Sequence, residues 1–163
     1  MVMHQPESVI HDNASQEEED SEAGAVWNKE GSLLWFKGCV SWMRNRGYNS
    51  AAMLNDGKVV FLGAVLVQDN EAAMDGGGFI NEPDAQITFY SGVEFLANIG
   101  TGDGGAILNH ADLDFKGGEG TSLIFADNYC GKQECQDIQN KHGSNVRGLE
   151  DVPDLCDIGT RTL

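Results

Sequence analysis

Hydrophobic and polar residues alternate in short runs through the middle of the chain. Ile87 and Phe89, for example, enclose one polar residue, and the stretches between such runs are rich in Gly, Ser, Asn and Asp. A period of two indicates β-strands with one buried face, and the small and polar residues between them are typical of turns. The pattern therefore predicts short strands joined by tight turns rather than helices.

The alternating runs recur with a period of 26 to 28 residues. One Asn closes each glycine-rich segment, and a second Asn follows in the other half of each unit. The first series is Asn28, Asn55, Asn81 and Asn109, and the second series is Asn45, Asn70, Asn98 and Asn128. Each of the four units contains three alternating runs, which is too few for a four-stranded propeller blade.

A repeat of this length, with three strands and no helix, fits one coil of a solenoid. We therefore expect an all-β fold, a right-handed parallel β-helix of about four coils of 26–28 residues. In this fold equivalent residues of successive coils stack about 4.8 Å apart, and each strand pairs with its copies above and below. One column expected to point into the core is Phe36, Phe61, Phe89 and Phe115.

The two Asn series have a physical role in such a fold. An Asn tolerates the left-handed backbone geometry of a tight corner, and stacked copies can link their side-chain amides into a ladder. The ladder supplies hydrogen-bond partners to groups that a corner would otherwise leave unpaired. We expect both series to be structural ladders, and no residue of the chain is assigned a catalytic role.

Two successive glycine-rich corners each carry an acid, Asp75 and Asp103. The spacing of oxygen-bearing residues around them does not fit an EF-hand loop, and neither corner has the Lys of a phosphate-binding loop. Two interpretations of the pair stand open. The carboxylates could lie one strand spacing apart and share a proton or hold a cation, or each could cap its own turn.

The charge of the chain restricts its partners. Its 163 residues carry a formal net charge of −16, which disfavours nucleic acid and anionic membranes because both require a basic face. No stretch approaches the roughly 18 apolar residues of a membrane-spanning helix. The Cys and His spacings match no standard zinc site, so we expect neither a metal nor a cofactor.

The two ends differ in composition from the repeats. Residues 1–25 hold seven acids and no Lys or Arg, which predicts an acidic, disordered arm. Residues 26–130 hold the coils, and residues 131–163 are predicted to form a Cys-containing cap or tail. No signal peptide and no convincing cap are visible, which suggests either a piece of a longer repeat protein or an incomplete gene model, and the sequence does not decide whether the chain is a fragment.

Cysteine usage bears on the compartment. Cys39 occupies a position at which every coil has a small residue, and it is predicted to be a free thiol. Cys130, Cys135 and Cys156 follow the last coil. A disulfide from Cys130 to Cys135, or from Cys135 to Cys156, would staple the cap in an oxidising location. Four cysteines allow three complete pairings, among which the sequence does not choose.

Short motifs in the repeat resemble a known family. Residues 104–107, with the sequence GGAI, and the tetrads Phe95–Asn98 and Phe125–Asn128 resemble the GGA-I and F-x-x-N signatures of chlamydial-type polymorphic outer membrane protein repeats. The resemblance covers roughly Trp27–Asn128, although the first two coils lack Phe at the tetrad position. Those repeats belong to the right-handed parallel β-helix class, also called pectate-lyase-like. Members of the polymorphic outer membrane protein family are surface-exposed or secreted, and several are adhesins.

The resemblance implies a non-catalytic extracellular or cell-surface module that recognises glycan or protein partners. One alternative is a fragment of a polysaccharide lyase, hydrolase or epimerase, since the fold class hosts such enzymes. Their chemistry usually needs clustered carboxylates, whereas the acids that align between these coils are solitary. The other alternative is a purely structural repeat with no ligand of its own.

Overall fold

The computed structural model describes residues 8–15, 23–117, 121–131, 137–141, 144–148 and 155–158. Within these residues the chain forms strands and turns without a helix, and every strand pair is parallel. Successive coils stack into a β-solenoid with about four complete turns. The predicted all-β fold is confirmed, and the architecture is consistent with a right-handed parallel β-helix. No helix in the described part of the chain is long and apolar enough to span a bilayer.

Strand β1 (Ser8–His11) precedes four complete coils of four strands each. The first coil contains β2 (Val26–Asn28), β3 (Leu33–Phe36), β4 (Val40–Met43) and β5 (Arg46–Gly47), and the second contains β6 (Met53–Asn55), β7 (Lys58–Phe61), β8 (Val65–Gln68) and β9 (Glu71–Ala72). The third contains β10 (Phe79–Asn81), β11 (Gln86–Phe89), β12 (Val93–Leu96) and β13 (Ile99–Gly100), and the fourth contains β14 (Ile107–Asn109), β15 (Asp112–Phe115), β16 (Leu123–Ala126) and β17 (Tyr129–Cys130). Strands β18 (Ile138–Lys141), β19 (Asn145–Arg147) and β20 (Leu155–Ile158) follow.

The expectation of three strands per coil is wrong, because each coil has a fourth. The fourth strand is only two residues long, as in Glu71–Ala72, and two residues are too few to produce a visible alternation. It nevertheless pairs with its copies, since Glu71 lies beside both Arg46 and Ile99.

Equivalent strands form four parallel sheets that run along the solenoid. Sheet 1 is β2–β6–β10–β14–β18–β20, sheet 2 is β3–β7–β11–β15–β19, sheet 3 is β1–β4–β8–β12–β16, and sheet 4 is β5–β9–β13–β17. The register is that of the repeat, because Phe61 pairs with Phe89, and Phe89 pairs with Phe115. The variation of the repeat length between 26 and 28 residues is therefore confined to the corners, and the strands stay in register.

The core is a set of side-chain columns. Adjacent rings of Phe36, Phe61, Phe89 and Phe115 have centroids 5.0 Å apart and nearly parallel planes. Trp42 belongs to the neighbouring column and packs edge-on against Phe61, with the two ring centroids 5.6 Å apart. Both side chains are fully buried. Aromatic pairs of this geometry contribute about 0.5–1.5 kcal/mol each beyond the burial of their area.

The predicted disordered arm over residues 1–25 is wrong for its middle part. Strand β1 pairs with β4, so that Ile10 stacks on Trp42 and packs against the core. The pairing arises because the segment Ser8–His11 has the short alternation of inward and outward residues that the strands of the coils have. The acidic composition of the surrounding residues concealed this alternation in the sequence. Ala14 and Ala23 add further parallel bridges to the first coil.

The coils also continue beyond the predicted boundary at Cys130. Strand β18 extends sheet 1 and places Ile138, fully buried, on Ile107. Strand β19 extends sheet 2, and β20 pairs with β18. Asn109 and Asn140 lie 31 positions apart, which exceeds the period of the repeat and hid this further coil in the sequence.

Candidate recognition surfaces

The first Asn series forms a continuous chain of hydrogen bonds through the corner between sheets 1 and 2. In the middle of the chain, the Nδ2 of Asn55 donates to Oδ1 of Asn81 at 2.8 Å, and Asn81 donates to Asn109 at 2.8 Å. The same Nδ2 of Asn81 also donates to the carbonyl of Asp112 at 3.0 Å. Asn28 begins the ladder and Asn140, which the sequence analysis missed, extends it at 2.7 Å. These buried amides fasten the corner of each coil to the next.

The second Asn series does the same at the corner between sheets 3 and 4. The side-chain Nδ2 of each of its four members donates a hydrogen bond of 2.9 Å to the next residue along the stack. The bonds run from Asn45 to Asn70, from Asn70 to Asn98, from Asn98 to Asn128, and from Asn128 to Asp137. Asn13 adds a rung at the N-terminal end. The residue before each of these Asn has a positive φ of 52–56°, as in Asp69 and Ala97. The left-handed conformation at this corner thus falls on the residue before each Asn, and, contrary to expectation, no Asn of either series has a positive φ.

Asp75 and Asp103 lie on successive coils, and the structure brings them into contact. The carboxylate of Asp75 accepts a hydrogen bond at 2.7 Å from the backbone N–H of Asp103. This contact is the behaviour of a residue that caps the next corner of the stack. Among the described residues, no group of three or more His, Cys, Asp or Glu side chains is arranged to hold a metal ion.

Two of the cysteines, Cys39 and Cys130, are free. Cys130 is fully buried at the end of β17 and belongs to the core. Cys39 is half-buried and free, as predicted. Cys135 lies outside the described residues, and with it both candidate disulfides, the one to Cys130 and the one to Cys156.

A groove runs along the solenoid beside sheet 3, and we call it the axial groove. Its floor is the column of small residues that precede the strands of that sheet: Cys39, Ala64, Gly92 and Ser122. Backbone hydrogen bonds of 2.8–3.0 Å join the floor of each coil to the next, as from the N–H of Val65 to the carbonyl of Gly92. The groove has a volume of about 530 Å³ and crosses all four complete coils.

The axial groove is lined by hydroxyls and aliphatic groups. Ser91 and Thr121 contribute hydroxyls, and Leu66 contributes an aliphatic side chain. Glu94 is the one carboxylate among the described residues that line it. A surface of this mixture can accept and donate hydrogen bonds while it covers apolar patches of a ligand.

A second groove, the corner groove, lies at the turns between sheets 1 and 2. It is formed by the turns at residues 30–33, 56–58 and 83–84 of three successive coils, and its volume is about 640 Å³. Trp27 and Trp35 neighbour residues of its lining without belonging to the lining itself. The indole N–H of Trp27 donates at 2.6 Å to Asp56, and Trp35 lies on the same outward face of β3 as Leu33. All three apolar side chains are exposed, at 42–58% of their area.

The most perturbed charge in the described chain lies at its N-terminal end. Arg44 donates to both oxygens of the Asp12 carboxylate at 2.9 Å. The Arg44 hydrogen bonds, with a further one from His11, lower the pKa of Asp12 to about 2, and Asp12 in turn raises the pKa of Arg44. This bidentate pair fastens β1 to the first coil across a small charged cleft that also contains Arg46 and Glu71.

The ladders and the small-residue column were predictable from the sequence, but the two grooves were not. Each groove combines turn residues from three or four coils with outward side chains, and no repeated motif marks such a combination. The one available signal was the concentration of Trp27, Leu33 and Trp35 at outward positions of the first coil. Comparison of the chain with models of protein families, with curated proteins and with solved structures finds no match.

Proposed function

We propose that this protein is a non-catalytic recognition module, located outside the cell or on its surface, that binds a glycan or protein partner along its side. The observation that supports this function most is the axial groove. It offers a preformed surface across four coils, and binding to a preformed surface costs little conformational entropy. The resemblance of the repeat to surface-protein repeats supports the same role and the same location.

The chemistry of the groove favours binding over bond cleavage. Glycoside hydrolysis requires a pair of carboxyl groups on either side of the scissile bond, whereas Glu94 stands alone among the described residues of the lining. Asp75, the other candidate acid, already accepts the backbone N–H of Asp103. The hydroxyls of Ser91 and Thr121 are suited to hydrogen bonding with a polar partner.

The test uses two matched alanine positions of the second coil. Ala64→Leu fills the floor of the axial groove, and Ala73→Leu adds the same side chain at an exposed site outside it. We expect wild-type protein and Ala73→Leu to bind the same members of a glycan array or of a panel of cell-surface proteins, and Ala64→Leu to lose that binding. Release of products from uronate polymers would instead support the enzyme, and silence in every assay would support a purely structural repeat.

A further inference from the structure

The corner groove carries negative charge beside exposed aromatic rings. Glu30, Asp56 and Asp84 line it, against one cation among its described lining residues, Lys58, and a second cation, Lys29, at its rim. The chain as a whole carries −16, so that its field does not offset this local excess. A cationic ligand is therefore attracted to the groove, and an anionic ligand is repelled.

One side chain of the protein already occupies the rim in the manner of a cationic ligand. The ammonium group of Lys29 lies 4.3 Å from the centre of the Trp27 ring, and the edge of the same ring donates to Asp56. This arrangement joins a cation, an aromatic face and a carboxylate within one contact set. It demonstrates on the molecule itself that an alkylammonium side chain packs against this surface.

The remaining rim offers exposed apolar surface on β3, where Leu33 pairs with Lys58 of β7. Leu33 lines the groove and is 58% exposed, and Trp35 follows two residues later on the same face at 57% exposure. Two residues of a strand span about 7 Å, so a ligand that reaches from Asp84 or Asp56 over Leu33 to Trp35 must be elongated. Long aliphatic stems that end in a cation satisfy both the apolar rim and the acidic floor.

We propose that the corner groove binds a basic segment of a partner protein, rich in Arg or Lys. The cationic heads lie against Asp56 and Asp84, and the stems and guanidinium planes cover Leu33 and Trp35. This site is separate from the axial groove, and it adds a charge-selective contact to the recognition function. Arg suits the site better than Lys, because its planar head stacks on an indole and binds a carboxylate through two hydrogen bonds.

The experiment measures the fluorescence anisotropy of labelled hexa-arginine, with hexaglutamate as the control peptide, at about 150 mM salt. The variant pair Asp56→Asn and Asp84→Asn removes two charges from the groove and keeps the shape of both side chains. The matched pair Asp69→Asn and Asp127→Asn removes two charges elsewhere, at exposed positive-φ corners that Asn tolerates. Both double variants therefore have the same net charge.

We expect the groove pair to weaken hexa-arginine binding about fivefold to tenfold and the matched pair less than about twofold. Trp35→Ala should weaken it about threefold, because one exposed cation–π contact is lost. A glucosamine hexamer, which has the charges without the long stems, should bind at least about tenfold more weakly than the peptide. Circular dichroism of each variant verifies the fold.

Several outcomes would overturn the proposal. Absence of saturable hexa-arginine binding to the wild type rejects it directly, and equal losses in the two double variants mean that the net charge alone attracts the peptide. Equal affinity for the glucosamine hexamer reassigns the groove to an amino glycan. Loss of peptide binding in Ala64→Leu places the peptide in the axial groove, which would refute this inference and leave the recognition function intact.

Discussion

The Asn81→Asp substitution tests whether the first ladder holds the coils together. The change exchanges an amide for a carboxylate of the same shape, so the packing of the core is unaltered. Asn81 is fully buried and its Nδ2 donates twice, to Oδ1 of Asn109 and to the carbonyl of Asp112. In the variant an acceptor faces both of these acceptors, and only the bond from Asn55 survives.

The cost follows from those two lost bonds. A buried acceptor left without its donor costs about 1–3 kcal/mol, so two such groups should lower the free energy of unfolding by about 2–6 kcal/mol at neutral pH. A domain has about 5–15 kcal/mol in total, and the effect is therefore a large part of it. Burial beside acceptors raises the pKa of the introduced carboxyl in the folded state above its unfolded value of about 3.9. The loss should therefore shrink as the pH falls through the folded-state pKa and be smallest below about 4.

The assay is urea unfolding followed by tryptophan fluorescence at pH 7 and at pH 3.5, each variant being compared with wild type at the same pH. Asn13→Asp is the control, because Asn13 is an exposed terminal rung of the second ladder. We expect the control to change stability by less than about 1 kcal/mol. A loss of less than about 0.5 kcal/mol for Asn81→Asp, or equal losses for the two variants, would refute a stabilising role of the ladder.

Three further predictions concern the core, a corner and the ion pair between Asp12 and Arg44. Phe61→Ala should reduce the free energy of unfolding by about 3–5 kcal/mol in urea titration, because it opens a cavity in a fully buried ring column; an unchanged midpoint would contradict the column. Gly76→Ala should lower the free energy of unfolding by more than about 1 kcal/mol in the same assay, since Gly76 has a φ of 53° and a Cβ there meets the Ile80 side chain. The control Gly92→Ala should lower it by less than about 0.5 kcal/mol, because its Cβ has only an ordinary 3.4 Å contact. Arg44→Asn should raise the pKa of the Asp12 carboxyl from about 2 toward 3.8, as followed by NMR titration. The lowered pKa of the wild type stabilises the folded state above pH 3.8, and this stabilisation is lost as the pH falls toward 2. An unshifted titration in the variant would show that Arg44 does not hold Asp12.

The repeat was predictable because stacking forces like residues to recur. Asn55 and Asn81 had to match, and Phe61 and Phe89 had to match, since each lies directly on its counterpart. Departures occur where the repeat is interrupted. Strand β18 was hidden by a corner longer than the period, and β1 was hidden by the acidic residues around it.

The candidate surfaces were less predictable, for a different reason. A column is a property of one position in the repeat, whereas the corner groove depends on unlike residues from three coils. Trp27 and Asp56 differ in their position in the repeat, and their hydrogen bond follows from the shape of the corner rather than from any pattern. The order of the hydrogen bonds along the ladders was likewise visible only in three dimensions.

The central claim is that the chain winds so that each coil lies in register on the one before it. Phenylalanine-labelled protein would test this claim most directly in a nuclear Overhauser experiment. Rings 5.0 Å apart should give strong cross-peaks between Phe61 and Phe89 and between Phe89 and Phe115. Phe61 and Phe115 are two coils apart, at about 10 Å, and should give none. Absence of the Phe61 to Phe89 cross-peak in folded protein would contradict the stacked coil.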